Sequence, residues 1–250
     1  MKTFYNKNGY ILFRNLLNKS KTQKLKNSFC RTIKYLNKNK NSKVSSRNFS
    51  SFDKHILNFK KNFPEKNNFL YKNIPHYSSF IKLFEDDKVR TAASKLLNTD
   101  KDNLIICEHQ FRMDYPDDQN YVLNWHQDAS FYKQDSRGND SLVCLIYLQK
   151  TTKEMGSTLI LPGSNKLGIL KYKKSKKSKK KSGQRTVNLK NIKNKPISIE
   201  YNEGDVTFYS TKLLHKSGYN ISNKIRYSAI ARIFKPLSSN YKSFLKISNL

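Results

Sequence analysis

The chain has 250 residues, of which 36% are apolar and 12% aromatic, enough to build a packed core and to exclude a disordered chain despite a mean hydropathy of −0.78. Three cysteines, Cys30, Cys107 and Cys144, are odd in number and widely spaced, which excludes a disulfide scaffold and a CxxC zinc pattern. The formal net charge of +31 points toward polyanions, yet it comes from lysines scattered among Asn and Ser and is uneven: residues 100–154 carry a net −4 and the remainder +35.

Residues 1–52 contain no acidic residue, and the start, Met1-Lys2-Thr3-Phe4-Tyr5-Asn6-Lys7-Asn8, lacks the apolar stretch of a secretory signal. No run of about 18 apolar residues is present, so no transmembrane helix is expected, and a cytoplasmic location with reduced thiols is. Gly9 to Phe13 reads as a short strand. From Ser20 to about Asn37, Leu25, Phe29, Ile33 and Leu36 recur at helical spacing and predict an amphipathic helix. Residues 38–68, rich in Asn, Lys and Ser, read as loop with one short helical piece. Residues 86–98 begin with two aspartates and predict a short helix.

Beyond residue 102 the texture changes to β-type runs: 103–107, 121–125, 142–148, 157–161, 197–201, 206–209 and 226–234. Turn signals such as Pro116-Asp117-Asp118, Pro162-Gly163-Ser164 and Glu203-Gly204-Asp205 separate them. Seven short strands after a helical beginning predict an α+β fold, an antiparallel jelly-roll with helices on one face. The expected organisation is one domain over 1–250: a mainly helical part over 1–100, a β core over 103–235, and a lysine-rich loop inserted at 171–185. Within that loop, 171–181 holds eight lysines in eleven positions, a charge density that cannot pack.

His126-Gln127-Asp128 ends one of the β-runs. In a strand, residues i and i+2 share a face, so His126 and Asp128 point together and Gln127 points away. An imidazole beside a carboxylate makes two adjacent positions of a metal site, and His215, past the 206–209 run, is the candidate third ligand. Two histidines and one carboxylate on one face leave open positions, the arrangement of non-haem Fe(II) oxygenases. Arg226 opens an apolar strand 11 residues after His215, where a guanidinium is unexpected unless it holds a carboxylate. Ser217 can add a hydroxyl donor. Arg232 shares the parity of Arg226 and competes for its role. His109 shares the parity of Cys107 and Phe111 and reads as structural, as do His55 and His76; Trp125 reads as core.

Taken together, WHQD at 125–128, GSTLILPGSNK at 156–166, EGDVTFYS at 203–210 and HKSGYNISNKIRYS at 215–228 resemble the phytanoyl-CoA dioxygenase family of Fe(II)- and 2-oxoglutarate-dependent oxygenases. The resemblance implies a double-stranded β-helix that holds Fe(II) through His126, Asp128 and His215. It also implies that 2-oxoglutarate lays its far carboxylate on Arg226 and Ser217, that Gln110 adds a further contact, and that O2 is the second co-substrate. One departure is Asn165, where the family usually has histidine after Pro-Gly-Ser. The expected activity is hydroxylation of a small-molecule or lipid-like substrate with release of succinate and CO2. The same chemistry on a nucleic acid or other polyanion, or an inactive binding relative, are the alternatives; the expected partner is a small molecule, and the oligomeric state is open.

Overall fold

A computed structural model describes residues 1–38, 44–119, 122–131, 140–174, 185–190 and 192–236. Helices come first. Helix α1 (Lys2–Asn8) ends on Gly9, and strand β1 (Tyr10–Phe13) follows. Gly9 has φ 78°, and a Cβ there would meet the Asn165 side chain at 2.6 Å, so this turn demands glycine on two counts. Helix α2 (Lys19–Leu36) is capped by Asn18, whose side chain accepts from the Ser20 N–H at 2.9 Å, and it buries Leu25, Phe29 and Ile33 as its spacing requires.

The expectation of loop with one short helical piece over 38–68 is not met. A 3-10 turn over Phe49–Phe52 leads into α3 (Asp53–Asn62), and Pro64 starts α4 (Pro64–Asn73). Apart from the buried Asn67, their Asn and Lys residues are the solvated face. Phe49, Phe52, Ile56, Phe59 and Leu70 form the buried stripe that decides the conformation. Helices α5 (Ser78–Phe84) and α6 (Asp87–Leu97) complete the layer; Asp86 caps α6, and Asn98 closes it in the left-handed region at φ 54°.

Strands β2 (Ile105–Asp114), β3 (Ser141–Tyr147), β8 (Val206–Ser210) and β10 (Arg226–Phe234) join β1 in a five-stranded antiparallel sheet, order β1-β8-β3-β10-β2. A smaller sheet has the order β7 (Ile197–Ser198), β4 (Leu159–Ile160), β9 (His215–Lys216); β5 (Tyr172–Lys174) pairs with β6 (Arg185–Val187). This is a jelly-roll with helices on the outer face of its larger sheet, an α+β fold. Alternation along β3 sorts the two cores. Leu142, Cys144 and Ile146 pack with Phe29, Phe111 and Tyr227 beneath the helices, while Val143, Leu145 and Tyr147 face inward with Ile160, Tyr201 and Tyr209.

Two local expectations change. The 121–125 run is not a strand over its described residues; only the adjoining His126 makes a β-bridge, to His215. In β2, Glu108 and His109 stand opposite the single residue Ala231, a β-bulge, and Glu108 has φ 50°. The bulge breaks the parity drawn for this strand. Cys107, beside Arg232, faces the interior, whereas His109 turns outward between Phe80 and Phe84. Most of the lysine run, 175–184, lies outside the described residues, as does 132–139. Among the described residues no helix is long and apolar enough to cross a membrane.

Candidate active site

His126 and His215 are neighbours through their backbones. Each donates its N–H to the other's carbonyl, at 3.0 and 3.1 Å, and their ring centroids lie 4.2 Å apart. In each ring Nδ1 lies within hydrogen-bond distance of a carbonyl two residues earlier, Asn124 O at 2.7 Å and Leu213 O at 2.9 Å. A carbonyl only accepts, so Nδ1 carries the proton and the lone pair is left on Nε2. Burial, reinforced by the adjacent His215, pushes His126 down to about 4, which keeps the imidazole neutral at neutral pH.

Asp128 opens a 3-10 turn, Asp128–Phe131, whose Ala129 N–H donates to Thr211 O at 2.8 Å. The turn, and not strand alternation, brings the carboxylate beside the imidazole: Asp128 Oδ1 is 3.6 Å from His126 Nε2. One ligand atom from each of His126, Asp128 and His215 lies within 4.8 Å of the others. Burial would raise the Asp128 carboxyl, but Arg232 and the two histidines outweigh it and hold it low. Gln127 is fully buried and points the other way. Its amide donates to Gly168 O at 2.8 Å and Lys212 O at 2.6 Å and accepts from the Leu170 N–H at 2.9 Å, stitching three loops behind the cluster.

The three side chains line a cavity of about 620 Å³, mouth included, between the sheets. Along β10 the residues facing it are Arg226, Ser228, Ile230 and Arg232. The two arginines divide their work. Arg226 is 5% exposed, and its Nε and Nη2 donate to Asp114 Oδ2 at 3.2 and 2.8 Å. Its Nη1 is buried against the cavity with no hydrogen-bond partner among the described residues. Arg112 also donates to Asp114, at 2.6 Å. Burial works to raise the Asp114 carboxyl, yet the two guanidiniums together bring it down to about 2. Arg232 instead reaches Asp128, Nη2 to Oδ2 at 3.1 Å. Ser217 and Gln110 both line the cavity; the Ser217 N–H is fixed to Leu123 O at 3.0 Å, and Gln110 lies across from Ile230. Tyr147 and Tyr209 close one wall, with Tyr209 nearly parallel to the His215 ring at 5.8 Å.

The family model for phytanoyl-CoA dioxygenase (PhyH) matches residues 5–228. The chain belongs to the phytanoyl-CoA dioxygenase family. It is accordingly a non-haem iron, 2-oxoglutarate-dependent oxygenase-type enzyme, with Fe(II), 2-oxoglutarate and O2 as its cofactor and co-substrates. The residues present suit that set. Two imidazoles whose Nδ1 atoms face carbonyls and a carboxylate are a donor set that suits ferrous iron, and a buried guanidinium with an orphaned N–H suits a carboxylate guest.

Solved structures share the fold. The epimerase SnoN, in complex with Fe3+, alpha ketoglutarate and nogalamycin RO, is 14% identical, with a TM-score of 0.60 over 94% of this chain and 82% of that one. EvdO2 from Micromonospora carbonacea var. aurantiaca is 14% identical, with a TM-score of 0.63 over 94% and 89%. The non-heme monooxygenase ThoJ is 15% identical, with a TM-score of 0.58 over 94% and 77%. No curated protein sequence matches this phytanoyl-CoA dioxygenase family member.

Sequence reasoning about this family member missed Asp114, Gln127 and the contact of Arg232. Asp114 carried no local signal, because only the β2–β10 register sets it against Arg226. Gln127 carried none, because its partners are backbone atoms of distant loops. Asn165, the departure from the family pattern, donates to Asn6 O at 3.2 Å and packs on Gly9, so it secures α1. Trp125 packs half-buried among Leu161, Val187 and Leu214.

Proposed function

We propose that this enzyme hydroxylates a C–H bond of a small-molecule or lipid-like substrate, consuming 2-oxoglutarate and O2 and releasing succinate and CO2. The convergence of His126, Asp128 and His215 in one cavity with Arg226 carries this reading. Bound ferrous iron supplies the oxygen activation and keto-acid decarboxylation that protein side chains cannot perform. The residues supply geometry. His126 and His215 present Nε2, their Nδ1 protons fixed on carbonyls, and Asp128 presents Oδ1 as the third ligand. Arg226, aligned by Asp114, receives the far carboxylate of 2-oxoglutarate on Nη1, and Ser217 and Gln110 flank the co-substrate. Leu123, Val143, Leu145 and Ile230 give the cavity an apolar wall that suits a carbon-rich substrate and excludes water.

A small molecule is favoured over a nucleic acid by one observation. Tyr172, the aromatic residue of the lysine-rich run, already has the Arg185 guanidinium 4.9 Å from its ring centroid and packs against the Leu161, Val187 and Leu214 cluster, so it is no open stacking platform. The test is an anaerobic titration of the full chain with Fe(II) and 2-oxoglutarate, followed by a metabolite screen for O2-dependent succinate release. Substrate-stimulated succinate release that vanishes in Asp128→Ala is the expected result. Full activity in Asp128→Ala, or stimulation by an oligonucleotide alone, would overturn the reading.

A further inference from the structure

Resting on that reading, we propose that Arg232 is a positioning residue for the metal centre. It holds the outer oxygen of Asp128, so that a single carboxylate oxygen is left for the ion. The observations form a chain. Arg232 is one of two guanidiniums on the cavity face of β10, and each has its own carboxylate. Arg226 spends Nε and Nη2 on Asp114 and leaves Nη1 toward the cavity. Arg232 directs Nη2 at Asp128 Oδ2, 3.1 Å away, with both side chains about nine-tenths buried. The other oxygen, Oδ1, is the one 3.6 Å from His126 Nε2. The two oxygens of Asp128 therefore have separate tasks, and a planar guanidinium is the group that can enforce the split.

The strand beside Arg232 is built to support it. The bulge in β2 sets two residues, Glu108 and His109, against Ala231, and Glu108 adopts φ 50°, a left-handed conformation unfavourable for a non-glycine residue. It places Glu108 Oε2 4.0 Å from Arg232 Nε. Without the bulge, parity would swap the faces of Glu108 and its neighbours. The local backbone cost is thus coupled to a second carboxylate on the rear of the guanidinium, at ion-pair and not hydrogen-bond distance.

Co(II) titration of the full-length protein, read by its visible d–d absorption, tests this without turnover. Wild type and Asp128→Ala come first. If wild type binds no Co(II), or Asp128→Ala binds as well as wild type, the metal-site assignment falls, and this inference with it. Given a binding wild type, Arg232→Met should weaken Co(II) about 10- to 100-fold, because the carboxylate is no longer held in orientation, and alter the band shape, because both its oxygens can then turn to the ion. Arg232→Lys should recover only part of the loss, since a point charge cannot reproduce the fork. Arg226→Met should leave Co(II) affinity intact and instead lose 2-oxoglutarate. Unchanged Co(II) affinity and spectrum in Arg232→Met, or loss of 2-oxoglutarate alone, overturns the inference. Should Arg232→Met fail to fold, Glu108→Gln carries the test: a changed band shape with a smaller weakening supports it, and a wild-type spectrum overturns it.

Discussion

Replacing Asp114 by asparagine isolates the support under Arg226. The carboxyl sits at about 2 against an ordinary value of 3.8, a difference worth about 2 kcal/mol in favour of the charged form in the fold. Burial alone would act the other way, so the whole net effect comes from Arg112 and Arg226. An amide in this place leaves Arg226 charged and 5% exposed, and breaking a buried pair on one side costs about 3–5 kcal/mol. Arg112, whose side chain is 17% exposed, can turn toward water and reduce that figure. Asp114→Asn should therefore lose about 2–4 kcal/mol in urea denaturation at pH 7. The sign of the pH dependence follows from a depressed carboxyl: the contribution is complete above 3.8 and fades as pH falls toward 2, so the gap between the proteins should hold from pH 7 to 5 and narrow below 4. The variant should also bind 2-oxoglutarate about tenfold or more weakly, because Nη1 is no longer aligned. A stability difference under about 0.5 kcal/mol at pH 7, with unchanged 2-oxoglutarate affinity, would refute the reasoning.

Gln127→Leu keeps the volume but strands the Leu170 N–H and the Gly168 and Lys212 carbonyls, and should cost about 2–4 kcal/mol in urea denaturation; a wild-type midpoint would show that the three loops hold without it. Gly9→Ala should lose at least about 1–2 kcal/mol from the left-handed backbone, plus whatever moving Asn165 adds, and thermal unfolding that matches wild type would count against the close approach. Asp53, buried where it accepts from the Tyr227 hydroxyl at 2.8 Å and the Ile225 N–H at 3.1 Å, is raised by that burial to about 6. Its raised carboxyl favours the fold fully below 3.8 and loses that support as pH climbs through 6, whereas Asp53→Asn keeps both contacts if the tyrosine hydroxyl turns to accept. The variant should gain on wild type by about 1–3 kcal/mol between pH 4 and 7, and a flat difference across that range would show that the carboxylate stays ionised.

Much of the β architecture was legible because strands of a jelly-roll announce themselves locally, by alternation and by Gly and Pro turns. The Arg226 to Phe234 and Val206 to Tyr209 runs correspond to β10 and β8 almost residue for residue. The helices over 49–73 were not legible, since Asn and Lys dominate the composition while the fold depends on a few buried aromatics. The convergence of His126 with Asp128 was legible for a reason that does not hold in detail: a 3-10 turn brings them together where a strand was expected. Side-chain parity in β2 failed at the bulge, which no local pattern marks, because it is defined only against β10. For the same reason the partners of the two arginines stayed hidden. Asp114 is 112 positions from Arg226, and nothing short of the strand register connects them.

The reciprocal peptide contacts between His126 and His215 have a consequence for how such an enzyme is loaded. Two of the three proposed donors are anchored by a β-bridge beside the smaller sheet, so their spacing is set by the folded backbone. On the proposed reading, an ion would enter a cup whose two imidazoles the backbone already holds, and the polypeptide would not have to refold around each ion, which leaves the carboxylate as the ligand free to adjust.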